Sequence, residues 1–278
     1  MKKLLAGIFV TGVVGSVVAQ NEKSENLIDC ENVTEWTGKV LLNKKIKRNG
    51  EFSFETFGKY QTKTVFKEFI PVDPESTYTL TCYMRSLDPK QPASGYMGLY
   101  MYDEKKRLIA YNKVAFYPGT DSELVALAAK GSKEIVIKKN TKYLKYKDWV
   151  VAFNAKKNYA DQPNFDLSPR GKDIIVDGDN LKLTLRFPLK KDYKAGTKIR
   201  LHSPWGAPFY WAAQGWMPGE WKKFSVTLKG IANSGTPQDK FWSGTKYVKP
   251  FFWFANFSRI PKPGARLLVD DFSFVKLK

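Results

Sequence analysis

The stretch from His202 to Trp221, HSPWGAPFYWAAQGWMPGEW, concentrates side chains that could bind a ligand or react with one. It holds four of the chain's eight tryptophans and its only histidine, but no lysine or arginine. Its prolines and glycines indicate a surface loop with one short strand at 207–213. Tryptophan and tyrosine offer flat apolar rings with a polar group at one end. The stretch is therefore a candidate ligand platform, hydrophobic core or catalytic pocket.

Strand alternation divides these rings between two faces. Within the short strand, Phe209 and Trp211 share one face, and Tyr210 takes the other. Outside the stretch, Trp242 lies in FWSGTKY, where Gly244 indicates a turn. The predicted platform consists of Trp205, Tyr210, Trp211, Trp216 and Trp242, with Arg200 as a neighbouring cation. Trp221, which opens a strand, and Trp253, in the apolar run FFWFANF, are predicted to belong to the core.

Catalytic patterns are sparse in this sequence. His202 could act as a general base, but a lone histidine is more often packed and hydrogen-bonded, and we expect that here. The segment YKAGTKIR (193–200) is similar to the Tyr-x-Lys-Ala-Gly segment of jelly-roll alginate lyases, which implies roles for Tyr193, Arg200 and His202. That family's arginine-rich and Gln-Ile-His strands are missing. A glycoside hydrolase needs two carboxylates at a fixed gap, and its candidates here follow no pattern: Glu220, Asp161, Asp166 and Asp173.

The elements that must position these residues are strands. Short runs with a period of two recur along the chain, as in TYTLTCYMRS (77–86) and ARLLVDDFSFVKL (265–277), each bounded by turn residues. The run 172–187 turns at Gly178 and predicts a hairpin. Only SELVALAAK (122–130) has helical spacing. This pattern predicts an all-β fold: a β-sandwich jelly roll with a large inserted β and loop region and very little helix.

The chain divides into two parts by sequence. Lys2 and Lys3 precede an apolar run and a small-residue cleavage site, which predicts a signal peptide over 1–19. A single sandwich domain is expected over 20–278, with about 120–200 as a decorated insertion. Its irregular loop at 154–171 is of a length that is usually functional or packed. We therefore expect a secreted or periplasmic protein without a membrane span.

Charge and cysteines bear on the partner and the compartment. The formal net charge is +19, and such a field attracts polyanions or keeps the surface soluble. An exported protein is expected to meet an acidic polysaccharide rather than nucleic acid. Cys30 and Cys82 are compatible with a disulfide, which an oxidising compartment permits, and also with two buried thiols.

Three segments of the sequence resemble the galactose-binding-like jelly rolls of carbohydrate-binding modules of families 4, 9 and 22. They are NLIDCENVTEWTG with NGEFSFET, then FIPVDPESTYTLTCYMRS, then EWKKFSVTLKGI with ARLLVDDFSFVKL. Together these segments cover about half the chain after the leader, whereas 120–200 departs from those shorter modules. The resemblance implies a structural calcium near the terminal strands, for which Asp270, Glu31 and Glu51 occupy the matching acidic positions.

These observations together predict an exported, non-catalytic carbohydrate-binding protein for a polysaccharide, including an acidic one. Aromatic rings would stack on the sugars, and lysines or arginines would neutralise carboxylate or sulfate groups. Two alternatives stay open: a polysaccharide lyase or glycoside hydrolase on a jelly-roll scaffold, and a structural or cell-surface assembly protein.

Overall fold

The computed structural model describes residues 25–28, 30–58, 60–256 and 264–277. The predicted signal peptide lies outside them. Within these ranges the chain forms eighteen β-strands, four short 3-10 turns and no α-helix. The strands are β1 (Glu25–Asn26), β2 (Trp36–Thr37), β3 (Leu41–Asn43), β4 (Ser53–Phe57), β5 (Gln61–Phe66), β6 (Ile70–Pro71), β7 (Thr77–Ser86), β8 (Ser94–Tyr102), β9 (Ser122–Glu123), β10 (Glu134–Lys138), β11 (Val150–Phe153), β12 (Gly171–Asp177), β13 (Asn180–Leu185), β14 (Lys198–His202), β15 (Phe209–Trp216), β16 (Lys222–Lys229), β17 (Tyr247–Ala255) and β18 (Arg266–Leu277). The 3-10 turns are Val33–Glu35, Tyr111–Lys113, Thr141–Lys145 and Lys157–Tyr159.

Two antiparallel sheets build the sandwich. The first sheet has the order β16-β7-β18-β4-β3, with β1 also paired to β18. The second sheet has the order β15-β8-β17-β5-β2, with β6 also paired to β17. This arrangement confirms the predicted all-β sandwich. The described residues contain no helix long and apolar enough to cross a membrane.

Alternation along β7 shows why these residues form a sandwich. Tyr78, Leu80, Cys82 and Met84 are buried, while the threonines between them are half-exposed. One side of the strand therefore faces the core, as expected for a half-buried antiparallel sheet. Cys30 and Cys82 are not joined by a disulfide, and burial raises the pKa of the Cys82 thiol well above its usual range.

The two ends of the described chain pair with each other. Strand β1 runs antiparallel to β18, with Glu25 opposite Lys276 and Asn26 opposite Val275. This pairing adds β1 to the first sheet. The predicted hairpin is also present, because β12 pairs with β13 across a two-residue turn at 178–179, where Gly178 has a φ of +57°.

The region between β8 and β15 forms a separate pair of small sheets, with orders β10-β13-β12 and β11-β14-β9. Buried side chains from these strands make a second core, which includes Trp149, Phe153, Leu183 and Leu201. We call residues 103–208 the inserted region. It enters and leaves the sandwich at neighbouring strands, because Phe209 of β15 pairs with Tyr100 of β8.

The helical spacing at 122–130 does not produce a helix. Ser122–Glu123 is the short strand β9, Leu124 bridges to Ile137, and Ala128 bridges to Tyr193. Leu124 and Ala128 are buried in the second core. Cross-strand pairing satisfies the backbone here, and it outweighs the modest helical propensity of so short a segment.

Candidate functional site

Strand β15 carries the aromatic stretch and is longer than the predicted 207–213. It spans Phe209–Trp216, with a bulge between Trp211 and Ala213. The predicted alternation holds: Tyr210 points into the sandwich core, and Phe209 and Trp211 point to the outer face. After the bulge, Trp216 pairs with Ser94 two residues beyond the Gln214–Tyr96 pair. Trp216 therefore stands on the outer face with Trp211.

Six aromatic rings cluster on this outer face of the second sheet. We call this cluster the aromatic face, and it consists of Tyr96, Tyr100, Phe209, Trp211, Phe251 and Trp253. Their centroids lie close together: Trp211 stacks on Trp253 at 5.5 Å, and Tyr96 lies 4.9 Å from both. Aromatic pairs at such distances stabilise by about 0.5–1.5 kcal/mol beyond burial of their area. The rings therefore support one another as a single layer.

Gly98 makes this layer possible. It lies in β8 between Trp211 of β15 and Phe251 of β17. A Cβ at this position would fall 1.9 Å from the Tyr210 carbonyl oxygen and 2.8 Å from the Phe251 ring. Only glycine lets the Phe251 ring lie over β8, because any larger residue would displace backbone as well as ring.

Two side chains reach toward each other across the aromatic face. Lys63 of β5 and Phe209 of β15 stand on strands separated by β8 and β17, roughly 14 Å apart in a flat sheet. Yet the Lys63 ammonium lies 5.2 Å from the Phe209 centroid and 5.0 Å from that of Trp253. The side chains at the two margins therefore lean toward each other, and the ammonium makes cation–π contacts with both rings.

Exposure differs across the aromatic face. Phe251, Phe209 and Trp253 are buried beneath the other rings, whereas Tyr96 and Trp211 are half-buried. Trp216 is 56% exposed beside the exposed Gln214. The outer layer thus offers flat ring surface next to an amide and a cation, which is what a sugar requires: an apolar face and hydrogen-bonding groups.

Two residues of the predicted platform belong to the core instead. Tyr210 is 1% exposed, and its hydroxyl donates a hydrogen bond to the Gln238 carbonyl. Trp242 is 2% exposed and packs against Tyr210 and Tyr111. Neither ring can meet a ligand. Tyr210 lies on the inner side of β15, and the turn at Gly244 leads the chain back into the sandwich rather than outward.

Arg200 is also buried rather than available to a ligand. It is 2% exposed, its Nε donates to Asp121 at 2.8 Å, and one terminal nitrogen donates to the Lys156 carbonyl at 2.8 Å. Asp161 lies 3.4 Å from the other terminal nitrogen. The guanidinium therefore fixes the 154–161 loop to strand β14. Its charge is neutralised within the protein, so Arg200 does not supply the predicted cation for an acidic ligand.

His202 is packed and hydrogen-bonded, as expected. Its Nδ1 lies 2.9 Å from the Asn112 carbonyl, and since a carbonyl only accepts, Nδ1 carries the proton. Burial, followed by the nearby Arg200 charge, lowers the pKa of the ring to about 4 although the Asn112 carbonyl opposes the shift. The imidazole is therefore neutral at physiological pH and out of contact with solvent.

The side chains considered for catalysis do not come together at one site: Asp166 and Tyr193 line one groove, whereas His202 is buried elsewhere. Tyr193 is buried and donates its hydroxyl to Asp166 at 2.6 Å, while Arg200 and His202 are buried as described. Asp161 is held by Arg200 and by Asn164. These contacts tie each of the groups into the inserted region or its junction with the sandwich.

Trp205 stands apart from the aromatic face. It lies in the loop between β14 and β15, is 63% exposed, and has the Arg170 guanidinium 5.5 Å from its ring centroid. Trp221, predicted to be core, is half-buried, with the Arg85 guanidinium 5.9 Å from its ring. The predicted platform therefore separates into Trp211 and Trp216 on the sandwich and Trp205 at the inserted region.

Two of the three predicted acidic positions come together. Glu31 and Asp270, with the Cys30 sulfur, place ligand atoms within 4.8 Å of one another. Asp270 accepts hydrogen bonds from the Arg48 and Asp271 amides. Glu51 contributes only its backbone amide, which donates to Glu31 at 3.1 Å; its side chain is exposed.

The sequence analysis does not identify Tyr96 and Tyr100 of the aromatic face, or Lys63 beside it. The prediction that Trp253 is buried is confirmed. The missed signal is in β17, where FFWFA is apolar at every position. Such a run indicates a strand covered on both sides, and the rings that cover its outer side had to come from neighbouring strands.

No protein-family model matches this chain, and no curated protein matches it either. Among solved structures it is similar to the CBM22-1 xylan-binding domain from Paenibacillus barcinonensis Xyn10C, at 9% identity and a TM-score of 0.37, covering 92% of this chain and 94% of that chain. It is also similar to the C-terminal family 22 carbohydrate binding module of Clostridium thermocellum Xyn10B, at 8% identity and a TM-score of 0.36, covering 88% of each chain. These modules belong to the group that the sequence resembles. At these values the function is inferred from this chain's own residues.

Proposed function

We propose that this protein is an exported, non-catalytic carbohydrate-binding protein that holds a polysaccharide on its aromatic face and on Trp216. The observation that carries the proposal is the layer of aromatic rings on the outer face of the second sheet. There, Trp211, Tyr96 and Trp216 present ring surface beside the polar side chains of Gln214 and Lys63.

The dimensions suit an extended chain rather than a single sugar. Trp211 is paired with Gly98 and Trp216 with Ser94, four residues along β8. At the rise of a β-strand this separation is about 14 Å, so one ligand would contact more than one sugar unit. Tryptophan and tyrosine lose little conformational entropy when they stack, since each has only two side-chain torsions.

An acidic polysaccharide fits the charge of the protein. The formal net charge is +19, and a field of that sign raises the encounter rate with polyanions. Lys63 brings one ammonium group to the aromatic face itself. Export follows from the leader-like segment at 1–19, in which two lysines precede an apolar run.

The cleanest test is Trp216→Ala, because this ring is exposed and its loss leaves the packed layer intact. We expect the dissociation constant for the preferred polysaccharide, measured by affinity electrophoresis or calorimetry, to rise roughly fivefold or more, since stacking contributes about 1 kcal/mol. Trp216→Tyr should restore most of the affinity. Trp221→Phe, on a ring outside this face, serves as the matched control.

Several results would refute the proposal. Absence of binding to every neutral and acidic polysaccharide tested would do so, as would binding that Trp216→Ala leaves unchanged. An unsaturated-uronate absorbance after incubation with alginate, pectin or ulvan would establish a lyase instead. Partner proteins in a crosslinking experiment, without glycan binding, would favour a structural role.

We also propose a structural calcium at Glu31 and Asp270. The site has room for its acids because Gly50, at a φ of +63°, carries no Cβ; one there would lie 1.9 Å from Glu31 Oε1. Each carboxylate oxygen can accept more than one partner, so the amides already bonded to Asp270 leave it capacity to bind a cation. Calcium takes six to eight oxygens, and these two residues would supply the first of them.

Thermal unfolding with and without calcium tests this second proposal. Calcium should raise the Tm of the wild-type protein over that in EDTA, because a ligand that binds only the folded state stabilises it. Glu31→Gln should remove most of that increment, while Glu51→Gln should keep it, since Glu51 contributes only its backbone. An identical Tm in calcium and in EDTA would refute the site.

A further inference from the structure

A groove on the inserted region lies away from the aromatic face and plays no part in the function proposed above. Its volume is about 1120 Å³. It runs between the segment that follows the 154–164 loop and the turn after β13. The lining includes Phe165, Pro169, Phe187, Pro188, Lys190 and Tyr193.

Exposed apolar side chains form one wall of this groove. Phe187 is 67% exposed, more than any other large apolar side chain in the described residues. Phe165 is half-buried, and the Arg107 guanidinium lies 4.0 Å from its centroid. Scattered exposed apolar residues are ordinary, but an exposed ring at the mouth of a groove indicates a contact surface for a ligand.

Lysines form the rim. Lys130, Lys190 and Lys191 all line the groove. Lys191 pairs with Asp166 at 3.0 Å, and that carboxylate also accepts from the Tyr193 hydroxyl. Among the described residues the ammonium groups of Lys130 and Lys190 form no ion pair. Both are exposed and are free to neutralise an anion from outside the protein.

Two arginines flank the groove. The amide of Arg186, the residue before Phe187, donates to the Arg170 carbonyl at 2.9 Å. Arg170 follows Pro169 of the groove wall, and its guanidinium lies 5.5 Å from the Trp205 centroid. Neither arginine lines the groove itself.

The groove and its two flanking arginines have an excess of positive charge. They contain five cations, Lys130, Arg170, Arg186, Lys190 and Lys191. Three carboxylates oppose them: Asp148 on Arg170, Asp166 on Lys191, and Asp192, which accepts from the Lys130 amide. A different lysine-rich groove, at β9, is less available, because its Glu123 pairs with both Lys138 and Lys198.

We propose that the inserted region carries a second binding site, formed in this groove by Phe187 and the rim lysines, and that it takes the uronic acid residues of a polysaccharide. Flat rings supply the stacking surface for the sugar, and lysine and arginine supply charge-assisted hydrogen bonds to carboxylate. A neutral glycan would leave the cations unused, and a lipid tail would find no long apolar tunnel among these charged side chains.

Calorimetry with an oligogalacturonate, in low salt, tests the site in the full-length protein carrying Trp216→Ala. That background weakens binding at Trp216, so a further loss in the double variants reports on the inserted region. Adding Phe187→Ala or Lys190→Gln should weaken binding of the acidic oligosaccharide at least threefold each. Leu144→Ala and Lys145→Gln, exposed residues of the same region that do not line the groove, should leave it unchanged.

The outcomes separate the two proposals. Oligogalacturonate binding that persists in Trp216→Ala and falls with Phe187→Ala supports the second site, whatever happens at the aromatic face. Binding that disappears in Trp216→Ala and is unchanged by Phe187→Ala overturns the second site and leaves the first proposal standing. Equal affinity for neutral xylo-oligosaccharides, or binding only to single-stranded DNA or anionic vesicles, also overturns it.

Discussion

Acidification from pH 7 to pH 5 should destabilise this protein through its single histidine. His202 is fully buried, and burial lowers the pKa of the folded-state ring to about 4, against an ordinary value of 6.5. Between these values the unfolded chain binds a proton that the folded protein does not. Stability is therefore complete above pH 6.5 and falls as the pH drops toward 4.

The size of this loss follows from the two pKa values. The full difference between 6.5 and about 4 corresponds to roughly 3 kcal/mol in the free energy of unfolding, and about 2 kcal/mol of it falls between pH 7 and pH 5. Other titratable groups change the stability in a different pH range or in the opposite direction. Hydrogen bonds from Lys138 and Lys198 lower the pKa of Glu123 to about 2, so its contribution disappears only below pH 4.5. Burial raises the pKa of Asp270, which offsets part of the loss.

Urea denaturation at pH 7, 6 and 5 measures the effect, with His202→Asn as the matched variant. Asparagine keeps a donor for the Asn112 carbonyl but does not titrate, so subtracting its pH profile removes every other group. Wild type should lose about 2 kcal/mol more than the variant over this range. Parallel profiles would show that the ring is protonated in the folded state, and the assigned burial and tautomer would be wrong.

Two further predictions concern positions that hold the fold in place. Gly98→Ala should lower the Tm by several degrees and reduce glycan binding, because its Cβ would meet backbone at 1.9 Å. The control is Gly178→Ala, whose Cβ meets nothing within 4 Å. It should lower the free energy of unfolding only by the roughly 1 kcal/mol of a left-handed turn residue. Arg200→Met should destabilise by roughly 3–5 kcal/mol, since it leaves Asp161 buried without its cation. Chemical denaturation checks both, and a Gly98→Ala protein no weaker than Gly178→Ala would contradict the first.

Patterns among neighbouring residues in the sequence predict much of the fold. The period of two along β7 predicts which side chains are buried, and Gly178 predicts the hairpin of β12 and β13. The division of Phe209 and Trp211 from Tyr210 follows from the same alternation. Each of these features depends on residues close together in sequence, where backbone geometry fixes the direction of a side chain.

The remainder depends on contacts between distant segments. Whether Trp242 is exposed depends on Tyr111 and Tyr210, which lie far from it in sequence, and a glycine turn alone predicts exposure wrongly. Trp253 was correctly expected to be shielded from solvent, but the rings that shield it on the outer face come from β8 and β15. The sequence suggests that Arg200 is available to a ligand, but in the fold separate loops bring Asp121 and Asp161 to its guanidinium.

The connection between β8 and β15 has a consequence for how this protein can be altered. Because Tyr100 pairs with Phe209, the whole inserted region is, in topological terms, an overgrown hairpin loop. Closing a flexible loop becomes only about 0.6 kcal/mol costlier with each doubling of its length, so a change of length costs little where Ile109, Val114 and Phe165 keep their contacts with the sandwich core. Phe116 and His202 form an isolated bridge at its base, which marks a natural pair of splice points. Exchanging the sequence between these two residues should change the ligand preference of the inserted region, while the sandwich keeps its own.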